Sequence, residues 1–212
     1  MPTPKTYNYT TNDVVMVPGV KRVFFDFRDD DGLFAPSLRE NNVCYRSLSR
    51  NRYTKLLERC NPTSSKYGGA ENHFSDFQEF AEWMVEQKFY GEPSYSVDKD
   101  LFYDGGVLRY SKDTCCLIPK SLNSNLIDYK DDYTNYETQR NKFVCKIEFK
   151  PFGQPSVRKF LGRFDTIEEC SEVYRINKTE IIRGVIAESY KDHVDERVYQ
   201  KLKEWTPKLS RA

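Results

Sequence analysis

The chain reads as an α+β protein: a β-hairpin module with its helix, followed by a small antiparallel sheet packed on a long helix. Three observations predict this class. Period-two runs such as NKFVCKIEFK occur alongside runs of helical periodicity such as FSDFQEFAEWMVEQ. Asp/Gly turns close the strand-like segments. At 212 residues, 38% hydrophobic and 15% aromatic, the chain has enough apolar surface for a buried core without staples.

The elements follow in order. MPTPKTYNYTTND is a polar, Pro/Thr-rich arm, and VVMVPGVKRVFFDFR (Val14–Arg28) predicts a hairpin closing on the acidic turn Asp29-Asp30-Asp31-Gly32. Val43–Cys60 carries a helical pattern, with Tyr45, Leu48, Tyr53, Leu56 and Leu57 on one face. Arg46, Arg50, Arg52, Lys55 and Arg59 outnumber the single acid Glu58, a minor candidate for phosphate contact. Asn61–Asn72 is a loop, and Phe74–Gln87 an amphipathic helix for which Ser75 is a candidate cap. The polar stretch Ser124–Arg140 marks a boundary, which divides the chain into an N-terminal arm and hairpin (1–42), a hairpin-and-helix module with preceding helices (43–128) and a sheet-plus-helix domain (129–212).

In that last domain, Phe143, Cys145, Ile147 and Phe149 alternate onto one face, and Ser156–Phe164 is a second strand. Thr166 and Glu169 form a capping box for the long helix, on which Ile167, Cys170, Tyr174, Ile181 and Val185 fall at helical spacing to face the sheet.

Composition excludes more than it assigns. Lys and Arg (33) nearly cancel Asp and Glu (32), so the net charge of +1 carries no information about a nucleic-acid partner. The six cysteines (Cys44, Cys60, Cys115, Cys116, Cys145 and Cys170) form no CxxC pair, which argues against a zinc knuckle and for free thiols in a reducing cytosol. No apolar run approaches the ~20 residues that span a bilayer, so no membrane partner is expected.

The stretch YSVDKDLFYDGGVLRYSKDTCCLIPKSLN (Tyr95–Asn123) reads as strand, turn, strand and helix. Period two places Asp98 and Asp100 on one face of the first strand and Lys99 on the other. Asp104-Gly105-Gly106 supplies the turn, Val107–Tyr110 the return strand, and Asn123 an amide on the helix. This is the layout of a ββα-metal hairpin, in which Asp98, Asp100 and Asn123 as oxygen ligands suit Mg²⁺ or Mn²⁺. An Asp flanking a hairpin is equally a turn-bonding residue, and DGG closes many ordinary hairpins. The general base is missing: the histidines, His73 and His193, are distant in sequence, which leaves Lys99 or water to manage the proton.

On the segments YTKLLERC, FSDFQEFAEWMVEQ, VDKDLFYDGGVLRYSKDTCCLIPKSLN and LGRFDTIEECSEVYRINKTEIIRGVIAESY, the chain resembles bacteriophage HNH homing-endonuclease-like proteins with a C-terminal APETALA-type (ethylene-response-factor-like) DNA-binding domain. The resemblance covers about Cys44 to Trp205. It implies a phage-encoded protein of the host cytoplasm that binds duplex DNA, possessing Asp98, Lys99, Asp100 and Asn123 as the remnant or variant of an endonuclease site. The chain departs from the HNH pattern where Lys99 replaces the histidine and Thr114 stands near the middle asparagine; Asn123 matches the terminal one. Variant activity and inherited inactivity both stay open. So do a protein-directed role, as an inhibitor of a host defence or DNA-processing enzyme, and a role as a transcriptional regulator.

Between Gln139 and Arg163, seven cations (Arg140, Lys142, Lys146, Lys150, Arg158, Lys159 and Arg163) stand against one acid, Glu148, a local balance of +6. The flanking helix segment, Asp165–Asp195, carries eight acids against four bases, so the positive charge sits on the strands. Period two puts Lys142, Lys146 and Lys150 opposite the apolar face, as expected of a sheet that lies against duplex DNA. A solvated sheet face has the same pattern. The first strand of a three-stranded sheet is not assignable, because DDYTNYETQR lacks the Gly-Val pair of the plant-type domain.

Overall fold

The computed structural model describes residues 26–40, 43–63, 69–103, 105–127 and 134–207, in a mixed α+β architecture. The N-terminal arm, Val14–Phe25 of the first predicted hairpin, and Asp104 lie outside these residues. The chain forms two compact units, Met1–Leu117 and Ile118–Ala212. No helix among the described residues is long and apolar enough to cross a membrane.

In the first unit, the acidic turn forms as expected. Asp29 Oδ1 accepts from the amides of Asp31 (3.1 Å) and Leu33 (3.0 Å), and Arg28 bridges Phe34 across the turn. Strands β1 (Ser37–Glu40) and β2 (Val43–Arg46) pair antiparallel. The helical reading of Val43–Cys60 is therefore corrected at its start: α1 runs Leu48–Cys60, with Ser47 as N-cap accepting from the Arg50 amide. Tyr53 and Leu56 are buried as the periodicity predicts, while Leu57 is exposed.

Helix α2 (Phe77–Val85) buries Phe77, Phe80, Ala81, Trp83 and Met84. Its N-cap is Asp76, which accepts from Glu79 N at 2.9 Å; Ser75 instead donates its amide and hydroxyl to Glu79 Oε2, both at 2.7 Å. Those two hydrogen bonds, the backbone one first, hold the Glu79 carboxyl down at about 2. The rings of Tyr53, Phe74, Phe80 and Trp83 pack at centroid distances of 5.1–5.7 Å, as in Phe74 against Phe80 (5.1 Å, edge-on) and Phe80 against Trp83 (5.7 Å). Such pairs add about 0.5–1.5 kcal/mol each beyond area burial. Asp26, 2% exposed, takes the Ser49 amide (3.0 Å) and hydroxyl (2.6 Å) and the hydroxyls of Ser47 and Tyr90, which fastens the chain entry to the start of α1.

The second half of this unit departs from the predicted hairpin. Strand β3 (Glu71–Asn72) pairs parallel with β5 (Arg109–Tyr110), and β4 (Tyr95–Asp98) pairs with β6 (Cys116–Pro119). Val107–Tyr110 is thus not the return strand of β4. The local Asp/Gly turn signal is real, Gly105 having φ +97°, but the segment after it is drawn to β3 by Glu71 N→Leu108 O (2.7 Å) and His73 N→Tyr110 O (2.9 Å).

In the second unit, α3 (Lys120–Leu126) carries Asn125, whose amide clamps the backbone of Lys150 in both directions at 2.9 Å. Strands β7 (Thr134–Glu137), β8 (Lys142–Phe149) and β9 (Val157–Phe164) form an antiparallel sheet in that order. The first strand of the three is β7, inside DDYTNYETQR. Helix α4 (Ile167–Ile181) packs on β8 and β9, opened by the predicted Thr166/Glu169 capping box. Cys145 (0% exposed) and Ile147 (3%) face α4, and the Cys145 thiol donates to the Cys170 carbonyl.

The inward face of the long helix is corrected in one respect. Ile182–Ile186 is a π-helical turn between α4 and α5 (Ala187–Tyr190). A π turn holds one residue more than an α turn, so the inward position after Ile181 and Ile182 moves to Ile186 (0% exposed) and leaves Val185 outside at 48%. Ile167, in the first turn, is also exposed. Helix α6 (Glu196–Lys203) closes the unit through Val198 and Leu202.

Strand β9 contains a bulge. Cys145 pairs with Gly162 and Lys146 with Phe160, which leaves Leu161 unpaired. Gly162 adopts φ +148°, and a Cβ there would lie 2.9 Å from the tip of the Phe164 ring. Gly162→Ala is expected to lower stability by about 1–3 kcal/mol, read as the shift in a urea-unfolding curve followed by circular dichroism.

Candidate functional site

Two groups of sequence-predicted site residues lie in different units, Asp98, Lys99 and Asp100 in the first and Asn123 with the cationic strands in the second. Strand β4 ends at Asp98, and the chain bends at Lys99–Asp100. The period-two placement of Asp98 and Asp100 on one face therefore does not hold. Asp98, 5% exposed, turns its Oδ2 to the backbone amides of Asp100 (2.7 Å) and Leu101 (2.8 Å). Burial raises its carboxyl above the ordinary 3.8, opposed by the Leu101 amide.

Lys99 is also buried, at 6%. Its ammonium donates to Asp100 Oδ2 at 2.9 Å and lies 5.4 Å from the Tyr110 ring centroid, contacts that compensate a cation drawn out of water. Burial, above all, pushes the neighbouring Cys115 thiol up to about 12. At this bend one oxygen of Asp98 is engaged by two amides, and one oxygen of the half-exposed Asp100 carboxylate holds the Lys99 ammonium. Among the described residues, no three His, Cys, Asp or Glu side chains converge on one point.

The minor candidate, the basic face of α1, is largely structural. Arg52 Nη2 donates to the Tyr95 carbonyl (2.8 Å), Arg59 Nη1 to the Tyr110 hydroxyl (3.3 Å), and Arg50 sits over the Phe77 ring.

The sheet sorts the seven predicted cations by face and by partner. The side of the sheet away from α4 presents Lys146 opposite Phe160, Glu148 opposite Arg158, and Val144 opposite Arg163. Arg158 Nη2 meets Glu148 Oε2 at 2.7 Å. Arg163 Nε reaches across β8 to Glu137 Oε2 of β7 at 2.6 Å, and Arg140 Nη1 meets the other oxygen of the same carboxylate at 2.6 Å. Arg163 chiefly, and Arg140 with it, keep the Glu137 carboxyl below its ordinary value.

Lys142 pairs with Asp165, and Lys159 leaves this face altogether, donating to Asn177 of α4 at 3.2 Å. Lys146 and Lys150 are exposed, with no carboxylate among the described residues paired to either. An open groove of about 410 Å³ runs between Glu137 and Asn135 on one side and Phe160 and Arg163 on the other, floored by Val144.

Comparison with protein families, with curated proteins and with solved structures finds no match for this chain.

Two residues of this face escape the sequence reading. Glu137 lies just outside the cation-rich stretch from Gln139 to Arg163, although its spacing of three from Arg140 is visible. Phe160 sits in FLGRF, where the glycine interrupts strict alternation. Phe160 is 51% exposed, and the Arg163 guanidinium carbon lies 5.1 Å from its ring centroid.

The buried carboxyl of Asp98 makes stability depend on pH. In the folded state its carboxyl binds a proton more tightly than in the unfolded chain, so ionisation removes stability as pH rises from the ordinary 3.8 toward the raised value. Asp98→Asn retains an acceptor for the two amides without the buried charge. Its urea midpoint relative to the native chain is expected to rise between about pH 4 and neutrality, measured side by side across that range.

Proposed function

We propose that the second unit is a duplex-DNA-binding module whose contact surface is the outer face of β7–β9. The observation that carries this reading is the division of the sheet into two chemically opposite faces. One is committed to α4 through Cys145 and Ile147, and the other presents Arg158 together with Lys146, Arg163 and the aromatic Phe160, the last three lining an open groove. A sheet face of this kind supplies phosphate contacts from unpaired lysines and base-edge contacts from held arginines. Lys146 and Lys150 are the phosphate contacts; Arg163, fixed by Glu137, is a base-reading residue.

Strand cleavage is not part of this proposal. The hydrogen bonds at the Asp98–Lys99–Asp100 bend are those of a strand-end turn and an ion pair.

Anisotropy titration of a fluorescent duplex over a range of salt tests the proposal. The Lys146→Ala/Lys150→Ala variant is expected to bind more weakly to every sequence, and the slope of log affinity against log salt should fall by about 0.9 for each phosphate that the variant no longer neutralises. An unchanged slope would remove the sheet face from the interface. Incubation of supercoiled plasmid with Mg²⁺, Mn²⁺ or EDTA is expected to give band shifts without nicking. Metal-dependent nicking abolished by Asp98→Asn would restore the endonuclease reading.

A further inference from the structure

The bulge in β9 has a chemical consequence. In a regular strand, residues three apart point to opposite faces. The unpaired Leu161 resets the alternation, so Phe160 and Arg163 stand side by side on the outer face, 5.1 Å from guanidinium carbon to ring centroid. That spacing is about one and a half times the ~3.4 Å step between successive base pairs, within the reach of two side chains that meet neighbouring bases. Glu137 engages Arg163 through Nε, and both Nη groups are left without a partner among the described residues. An end-on pair of Nη donors matches the O6 and N7 acceptors of guanine, and an exposed apolar ring matches the C5-methyl group of thymine.

Resting on the duplex-binding reading, we propose that Phe160 and Arg163 form a two-part reader for a thymine next to a guanine in the major groove. Arg163 donates through its Nη groups to the guanine, Phe160 covers the thymine methyl, and Glu137 is the positioning residue that aims the guanidinium. The bulge and Gly162 are what bring the ring and the guanidinium onto one face.

The test begins with selection of a duplex from a randomised pool by the full chain. Affinities are then measured on the selected duplex with single thymines replaced by deoxyuridine, which lacks the methyl group, and single guanines by 7-deazaguanine, which lacks N7. One thymine adjacent to a guanine is expected to lose about fourfold in affinity as deoxyuridine, the effect of one methyl group leaving an apolar contact. Phe160→Ala, a substitution at an exposed position, is expected to bind the thymine and deoxyuridine duplexes equally while its circular dichroism is unchanged. Arg163→Ala should abolish the response to 7-deazaguanine at the neighbouring base. Glu137→Gln should weaken guanine discrimination, the response to 7-deazaguanine shrinking while duplex binding persists.

If the native chain binds duplex but does not distinguish thymine from deoxyuridine at any position, the two-part reader is wrong and the DNA-binding reading survives. A Phe160→Ala variant that loses affinity equally for both duplexes overturns it too, and makes the ring a non-specific stacking surface. If no duplex is bound in about 100 mM salt, both inferences fall together.

Discussion

The second unit depends on the two-sided commitment of β8. Its alternation sends Cys145 and Ile147 against α4, and a slip of one residue would bury Lys146 and Glu148 in their place. Full burial of a side chain the size of Ile147 contributes about 1.5–3 kcal/mol, whereas an unpaired charge in the same position would cost several kcal/mol. Register is therefore fixed from within the unit, and the outer face inherits a defined set of side chains. The Asn125 clamp on Lys150 holds the exit of β8, and Tyr190 adds a hydrogen bond to the same carbonyl at 3.2 Å.

Once the register is fixed, electrostatics shapes the outer face in a way that a count of charges does not convey. Glu137 engages two arginines and Glu148 a third, so the face is less positive than its local sequence, yet its guanidinium groups are held in place. Exposed pairs of this kind contribute only about 0.2–1 kcal/mol to stability, so their main effect is on orientation. A guanidinium held through one nitrogen has less conformational freedom to lose when it meets a planar acceptor. Lysines without a carboxylate retain their full attraction for phosphate. One sheet face thus contains both kinds of cation.

Much of this is legible in the sequence, and the illegible parts share a cause. The capping box at Thr166, the acidic turn at Asp29–Gly32 and the α4-facing residues of β8 follow from short-range rules, because the partners are within a few residues or one alternation of each other. The failures occur where an element is decided elsewhere in the chain. Val107–Tyr110 has the pattern of the return strand of a tight hairpin, but β3, more than thirty residues earlier, holds it. Val43–Arg46 has helical spacing and is the partner of β1. The π turn moves the inward position from Val185 to Ile186, an insertion with no compositional signature. At the candidate interface, Lys146 stands opposite the apolar face of β8 as its alternation predicts. Lys159 turns to α4 because alternation sets it on the face opposite Arg158, and Arg163 joins Arg158 on the outer face only through the bulge in β9, which depends on pairing rather than on spacing.

At the Asp98–Asp100 bend the same residue types serve two chemistries. Three oxygen-bearing side chains in a plausible order suggest ligands, since carboxylates and amides bind hard cations. The same chemistry makes Asp a good acceptor for amides freed at the end of a strand, and Asp98 is used that way, closing the turn that follows β4. Lys99 then supplies the counter-charge that a metal would otherwise bring, and the Tyr110 ring covers it. A carboxylate serving a turn and a carboxylate serving a lysine have their lone pairs directed at different partners, and convergence of lone pairs on one point is what defines a cation site. On the sheet, by contrast, Glu137 holds Arg163 through Nε, and the two Nη groups have no hydrogen-bond partner among the described residues. The two places differ in what engages their polar atoms: amides and the Lys99 ammonium each hold a carboxylate oxygen at the bend, and on the sheet Glu137 holds Arg163 through Nε.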